Sequence, residues 1–197
     1  MREVIDMTKL KCEIELELKD NDGKVLEKRR FPSHTYVLHF FIAIASHFAS
    51  RSMTVTKIDG TATTTSPTST YAYYDLGANG GYGETTKGIV IGTSDTPYSP
   101  TNNSLQSIIN HGSGVGQMFY GVQVIDAPQQ ITGGYRFVLS RVFTNASGSS
   151  ITVKEIGIYV YMCSSIYIMM TRDVIVPVTV GNGQSLTVRY IISLTYS

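Results

Sequence analysis

The chain has 197 residues, of which 42% are hydrophobic and only 16% are Asp, Glu, Lys or Arg, against roughly 25% charged residues in ordinary soluble domains. A net charge of +1 leaves no basic field to hold a nucleic-acid backbone, and the apolar content excludes a disordered tail. Thr, Ser, Gly and Tyr fill the gap, with 18 Gly and 13 Tyr, a surface suited to a protein packed against neighbours or exposed outside a cell.

Residues 1–6, Met1-Arg2-Glu3-Val4-Ile5-Asp6, lead into no apolar core, so no signal peptide is expected. Residues 11–18 alternate strictly. Cys12, Ile14, Leu16 and Leu18 point one way and Glu13, Glu15 and Glu17 the other, which predicts a half-buried strand. Asp20-Asn21-Asp22-Gly23 is a turn signal, and 24–31 returns as the second arm of a hairpin, with Lys28 and Arg30 placed to pair with the glutamates. The basic run Lys28-Arg29-Arg30 is read as a solvated strand end.

A helix is predicted near residues 35–50. Thr35, His39, Ser46, His47 and Ser50 form its polar stripe, and the rest is apolar, including Phe40, Phe41 and Phe48. A surface helix normally buries a stripe a little over 100° wide. This one must bury more, either inside its own fold or against its sheet and a second subunit. Its apolar stretch of about 14 residues is too short for a membrane span, which needs about 20.

A short strand at 53–58 precedes a Thr-, Ser-, Tyr- and Gly-rich loop at 61–87, longer than compact domains usually carry. Its rings, Tyr71, Tyr73, Tyr74 and Tyr82, are candidate contacts for a neighbouring subunit, favoured here, or for a glycan. Residues 88–92 read as a buried strand, and a short helix is expected near 102–110. Strands are predicted at 117–125, 135–143, 151–161, 166–171, 174–180 and 185–196, with Asn182-Gly183 as a hairpin signal and Pro177 marking an edge or a bulge. The pattern points to a mostly β chain, an antiparallel sandwich over residues 1–197 with an N-terminal hairpin and helix at 11–50.

Chemistry has little to stand on. The two cysteines, Cys12 and Cys163, are too few for a disulfide framework and are read as two separate buried thiols. His34, His39 and His47 do not share one helical face, and His111 sits in a Gly-rich turn without an obvious partner. The glycine clusters at 77–83 and 112–116 match neither a P-loop nor a dinucleotide fingerprint. Glu155, Arg172 and Asp173 interrupt apolar runs and are read as a strand-end salt bridge or as outward-facing residues. No catalytic, cofactor-binding or metal-ligating residue is expected, and no enzyme activity.

Three segments carry a resemblance: 88–112 from Gly88-Ile89-Val90-Ile91-Gly92 to His111-Gly112, 141–159 from Arg141-Val142-Phe143 to Gly157-Ile158-Tyr159, and 170–190 from Met170-Thr171-Arg172-Asp173 to Val188-Arg189-Tyr190. They resemble structural proteins of phages and archaeal viruses, of the tail, fibre and capsid-associated kind. The resemblance implies a jelly-roll-like sandwich that is made in the host cytoplasm and ends in the virion. It also implies partnership with copies of itself and with other virion proteins, without specific nucleic-acid or membrane binding. The alternative is an extracellular appendage or glycan-binding module that uses the tyrosine loop.

Overall fold

The structure is a computed structural model that describes residues 9–33, 35–65, 76–162 and 165–196. It is mostly β and antiparallel. The chain runs β1 (Lys9–Lys19), β2 (Val25–Pro32), α1 (Leu38–Ala49), β3 (Thr54–Thr56), β4 (Ala62–Thr64), β5 (Gly88–Gly92), β6 (Phe119–Tyr120), β7 (Val124–Ile125), β8 (Gln129–Ile131), β9 (Gly134–Thr144), β10 (Ile151–Tyr161), β11 (Tyr167–Val180) and β12 (Ser185–Thr195). A seven-stranded sheet has the order β2-β1-β12-β9-β6, with β7 and β8 also on β9. A three-stranded sheet has the order β11-β10-β5, and β3 pairs with β4.

The N-terminal hairpin forms as its alternation requires. Asp20 Oδ1 accepts the backbone N–H of Asp22 and Lys24, and Gly23 takes the left-handed φ of 80° that the turn needs. Across the outer face, Arg30 meets Glu13 at 2.7 Å, Lys28 meets Glu15 at 3.2 Å, and Arg189 of β12 meets Glu15 at 3.1 Å. Such pairs contribute about 0.2–1 kcal/mol each and act chiefly on register. The inner face of the same strand, Ile14, Leu16 and Leu18, enters one core with Ile89 and Ile91 of β5, Ile156 and Ile158 of β10, and Val188 and Tyr190 of β12.

Both edges of the three-stranded sheet are covered. Along β11, Met170 O accepts Val37 N–H, Arg172 N–H donates to Thr35 O, and Arg29 reaches from β2 to Val176 O at 3.1 Å. Along β5, Ser107 O accepts Thr93 N–H and Ile91 O accepts Ile109 N–H. The seven-stranded sheet ends in β2, which carries Lys28, Arg29, Arg30 and Pro32, and on its other side in pieces of two or three residues. Charges, proline and short strands are the devices that keep a sheet edge from pairing with another chain.

Several expectations change. No helix forms at 102–110. The N–H groups that would start it go to distant acceptors: Leu105 to Tyr159 Oη, Gln106 and Ser107 to the Glu155 carboxylate, and Ile109 to Ile91 O. Asn182-Gly183 is not a hairpin, because β11 and β12 lie in different sheets. Its turn instead bonds the 145–149 turn, where Gly183 N–H donates to Asn145 O and Asn145 N–H to Gln184 O. The strand expected at 117–125 is broken into β6 and β7, because Gln123 turns away to bond Gly80 O through its N–H. Conversely, 166–171 and 174–180 merge into one strand, β11, whose ladder with β10 shifts register between Val153 and Glu155. Pro177 sits on this edge strand, as its missing N–H requires.

Helix α1 is shorter than 35–50 and is not buried. Tyr36 is already bridged to Thr171, so Val37 becomes the extended N-cap, and Ser50 ends the helix in the left-handed conformation. Only Ala43 and Ser46 of the helix are fully buried, against β11 and β3. His39 accepts the Thr56 N–H through Nδ1 at 3.2 Å, and burial lowers its pKa. The sign follows: the unfolded chain takes up a proton before the folded one does. This contribution to stability is complete above the ordinary histidine value near 6.5 and is lost as pH falls through the lower folded value. Urea unfolding at pH 7 and pH 5 is expected to show a smaller loss for His39→Gln than for the parent chain.

Candidate functional site

The outer stripe of α1 is the most unusual surface. Leu38, Phe41, Ala45 and Phe48 are exposed and follow one another at helical spacing on a single face. Phe41 is 58% exposed and Phe48 89%. Phe40 turns inward, half-buried, and stacks on Tyr36 at 5.8 Å. No Asp, Glu, Lys or Arg occurs between residues 31 and 50, so the stripe is uncharged along its whole length. Of the two ways to cover this helix, burial inside its own fold is therefore overturned.

Within the loop at 61–87, Tyr71, Tyr73 and Tyr74 lie outside the described residues. The start of the loop is β4, and its end is held tightly. Tyr82 is 65% exposed and stands edge-on to His111 at 5.0 Å. His111 does have partners: its Nδ1 accepts Tyr120 N–H at 3.0 Å, and its ring meets Phe119 at 5.4 Å. Gly88 follows with φ 85°, where a Cβ would lie 2.7 Å from Gln123 Oε1, so that close approach requires glycine.

Three buried polar centres fasten these loops to the sheets. Arg141 of β9 donates to Gly81 O, Gly121 O and Ile89 O at 2.7, 2.8 and 2.9 Å and lies over the Tyr120 ring at 4.9 Å. Burial pulls its guanidinium down to about 10, so it stays charged at neutral pH. Beside it, Gln123 donates to Ala78 O and accepts Ile89 N–H. In the second centre Glu155 and Arg172 are both fully buried and paired at 2.8 Å. Glu155 also accepts from Gln106 and Ser107, and Arg172 also donates to Thr96 O, Pro97 O and the Asn102 side chain. In the third, Asp173 accepts from Ser33 Oγ, Thr35 Oγ1 and Tyr190 Oη. Burial, ahead of the nearby Asp173 charge, raises the Tyr190 hydroxyl well above its ordinary value. The expected salt bridge forms between Glu155 and Arg172, but it is buried rather than at a strand end. None of the three charges faces outward, because each has backbone or hydroxyl partners that only the assembled fold brings within reach.

Cys12 is buried, and burial pushes its thiol up to about 11. It is a neutral packing group at physiological pH rather than a nucleophile. Cys163 lies outside the described residues. Among the described residues no group of three or more His, Cys, Asp or Glu is arranged to hold a metal ion, and no helix is long and apolar enough to cross a membrane.

The sequence reading missed Arg141, Gln123 and Tyr120. One signal was present for the first. Arg141 shares the phase of Phe137, Leu139 and Phe143, which places a cation on the core face of its strand and calls for buried acceptors. No family model, curated protein or solved structure matches this chain.

Proposed function

We propose that this chain is a non-catalytic structural subunit of a virus particle, a tail, fibre, capsid or decoration component that works by self-assembly. On this reading the two main sheets pack as a jelly-roll-like sandwich. Support comes from the side chains that cross between them, Arg141 to Ile89 O and Tyr190 to Asp173. The observation that carries the function is the uncharged helix face with Phe41 and Phe48 in water. A monomer has no use for such a face, whereas an obligate interface is built from one. Buried polar centres that hold each loop in one shape suit a subunit presenting a fixed surface to its neighbours. The experiment is light scattering on a sizing column with negative-stain images of the same fractions. Rings, tubes, shells or a fixed oligomer are expected, and a stable monomer at micromolar concentration overturns the reading.

A second reading, an extracellular or appendage module that binds glycans, is favoured by one observation. The exposed Tyr82 ring is braced by His111, as a sugar-stacking platform would be. Tyr82→Ala that abolishes retention on a glycan array and leaves assembly intact would decide for it.

A further inference from the structure

The core-facing side of the seven-stranded sheet continues past the part that is covered. Its rows, read across β1, β12 and β9, are Leu16-Val188-Arg141, Ile14-Tyr190-Leu139, Cys12-Ile192-Phe137 and Leu10-Leu194-Tyr135. The first two are buried. In the third, Phe137 is half-exposed, and the last row lies in water, with Leu10 68% exposed. Alternation alone would make Leu10, Leu194 and Tyr135 core residues, because they share the phase of Ile14, Tyr190 and Leu139. Together with Pro128, Arg136, Phe137 and Ile192 they line a recess of about 80 Å³ whose exposed lining is apolar. The recess belongs to β1, β12 and β9, whereas α1 packs on β11 and β3.

We propose that α1 of one copy seats its Phe41–Phe48 face in this recess on the next copy. The proposal rests on the self-assembly reading above and names its interface. The guarded sheet edges argue against strand addition as the joint and favour a contact between apolar faces, of which these are two among the described residues. Leu38, Phe41 and Phe48 leave roughly 400–450 Å² of apolar surface on the helix, and Leu10, Tyr135 and Leu194 leave roughly 350 Å² on the sheet. One contact between them buries at most about 800 Å² of apolar surface. With the polar rim that normally makes up roughly 40% of an interface, full coverage of both faces gives about 1,300 Å², within the range of specific assemblies. A helix paired with its own copy covers only the first face and leaves the second wet. Because the helix stripe carries no charge, the helix brings no unpaired ion into the contact. Contacts of this kind join two different surfaces, so each copy offers one free helix and one free recess, and the chain of contacts closes into a ring or extends as a filament.

The test is a complementation by sizing-column light scattering with two variants at exposed positions, Phe48→Glu and Leu194→Lys. Each alone is expected to weaken association at least about 30-fold, as loss of a central contact does. Their equimolar mixture is expected to form a 1:1 dimer and nothing larger, since one contributes an intact recess and the other an intact helix. Circular dichroism on both checks that they fold. If the parent chain assembles and Leu194→Lys assembles equally well, the recess is not the partner and the inference falls, while the assembly reading stands. The same holds if the mixture stays monomeric. If the parent chain is itself monomeric, the assembly reading falls and takes this interface with it.

Discussion

Arg172→Met is expected to lower the unfolding free energy by about 3–5 kcal/mol, the usual cost of breaking one partner of a buried ion pair. Glu155 would lose its cationic partner in a fully buried site, with Gln106 and Ser107 N–H as its remaining donors. Thr96 O and Pro97 O would lose their donor as well. The double variant Glu155→Leu/Arg172→Met is the sharper experiment. Replacing a buried ion pair by apolar residues is often neutral or stabilising when the pair serves only itself. Here both partners also satisfy the backbone of 96–107, so the double variant is expected to remain several kcal/mol less stable than the parent, each orphaned buried group costing about 1–3 kcal/mol. Urea unfolding of the two singles and the double measures this as a cycle. A double variant as stable as the parent chain would show that the pair does not hold the loop.

Arg141→Met is the second large effect, expected to cost about 3–5 kcal/mol. Its guanidinium serves three carbonyls at 2.7–2.9 Å on three separate segments, Gly81, Gly121 and Ile89. Methionine fills much of the volume and serves none of them. Arg141→Lys is expected to recover less than half of the loss, because an ammonium on a single stem cannot span three acceptors that a planar fork reaches together. Hydrogen exchange gives the local readout. The amides of Gly83 and Gln123, bonded to Tyr120 O and Gly80 O, are expected to exchange faster in Arg141→Met, with β1 and β12 unchanged below the global unfolding limit. Loss of protection spread evenly over the chain would mean that Arg141 acts through global stability alone.

Much of the fold was legible because alternation is a local property. In β1 the period of two identified the strand and its buried face, since a one-residue slip would turn every apolar side chain to water, whereas β10 and β12, read only as strands, are buried over most of their length on both faces. Gly88–Gly92, apolar throughout, was readable as a strand buried on both faces. Partner choice was not readable. Asn182-Gly183 has the composition of a hairpin turn, but composition does not say whether the following strand returns beside the last one or crosses to another sheet. The stretch at 102–110 has helical spacing, and its helix lost to Glu155, Tyr159 and Ile91, acceptors some 20 to 50 residues away in sequence.

The candidate surfaces divide in the same way. The excess apolarity of the helix and its lack of charge are written in residues 35–50, and so is an apolar surface wider than one sheet face covers. That Phe41 and Phe48 take the outer side while Phe40 stacks inward on Tyr36 was decided by where Val37 and Tyr36 dock on β11. The recess could be found only in three dimensions. Leu10, Leu194 and Tyr135 follow the alternation of core residues, and they are exposed because the strands that carry them continue beyond the covered part of their sheet. Periodicity determined which face each residue takes; whether that face is covered depends on the relative lengths of strands distant in the chain, a property of packing that no local pattern encodes.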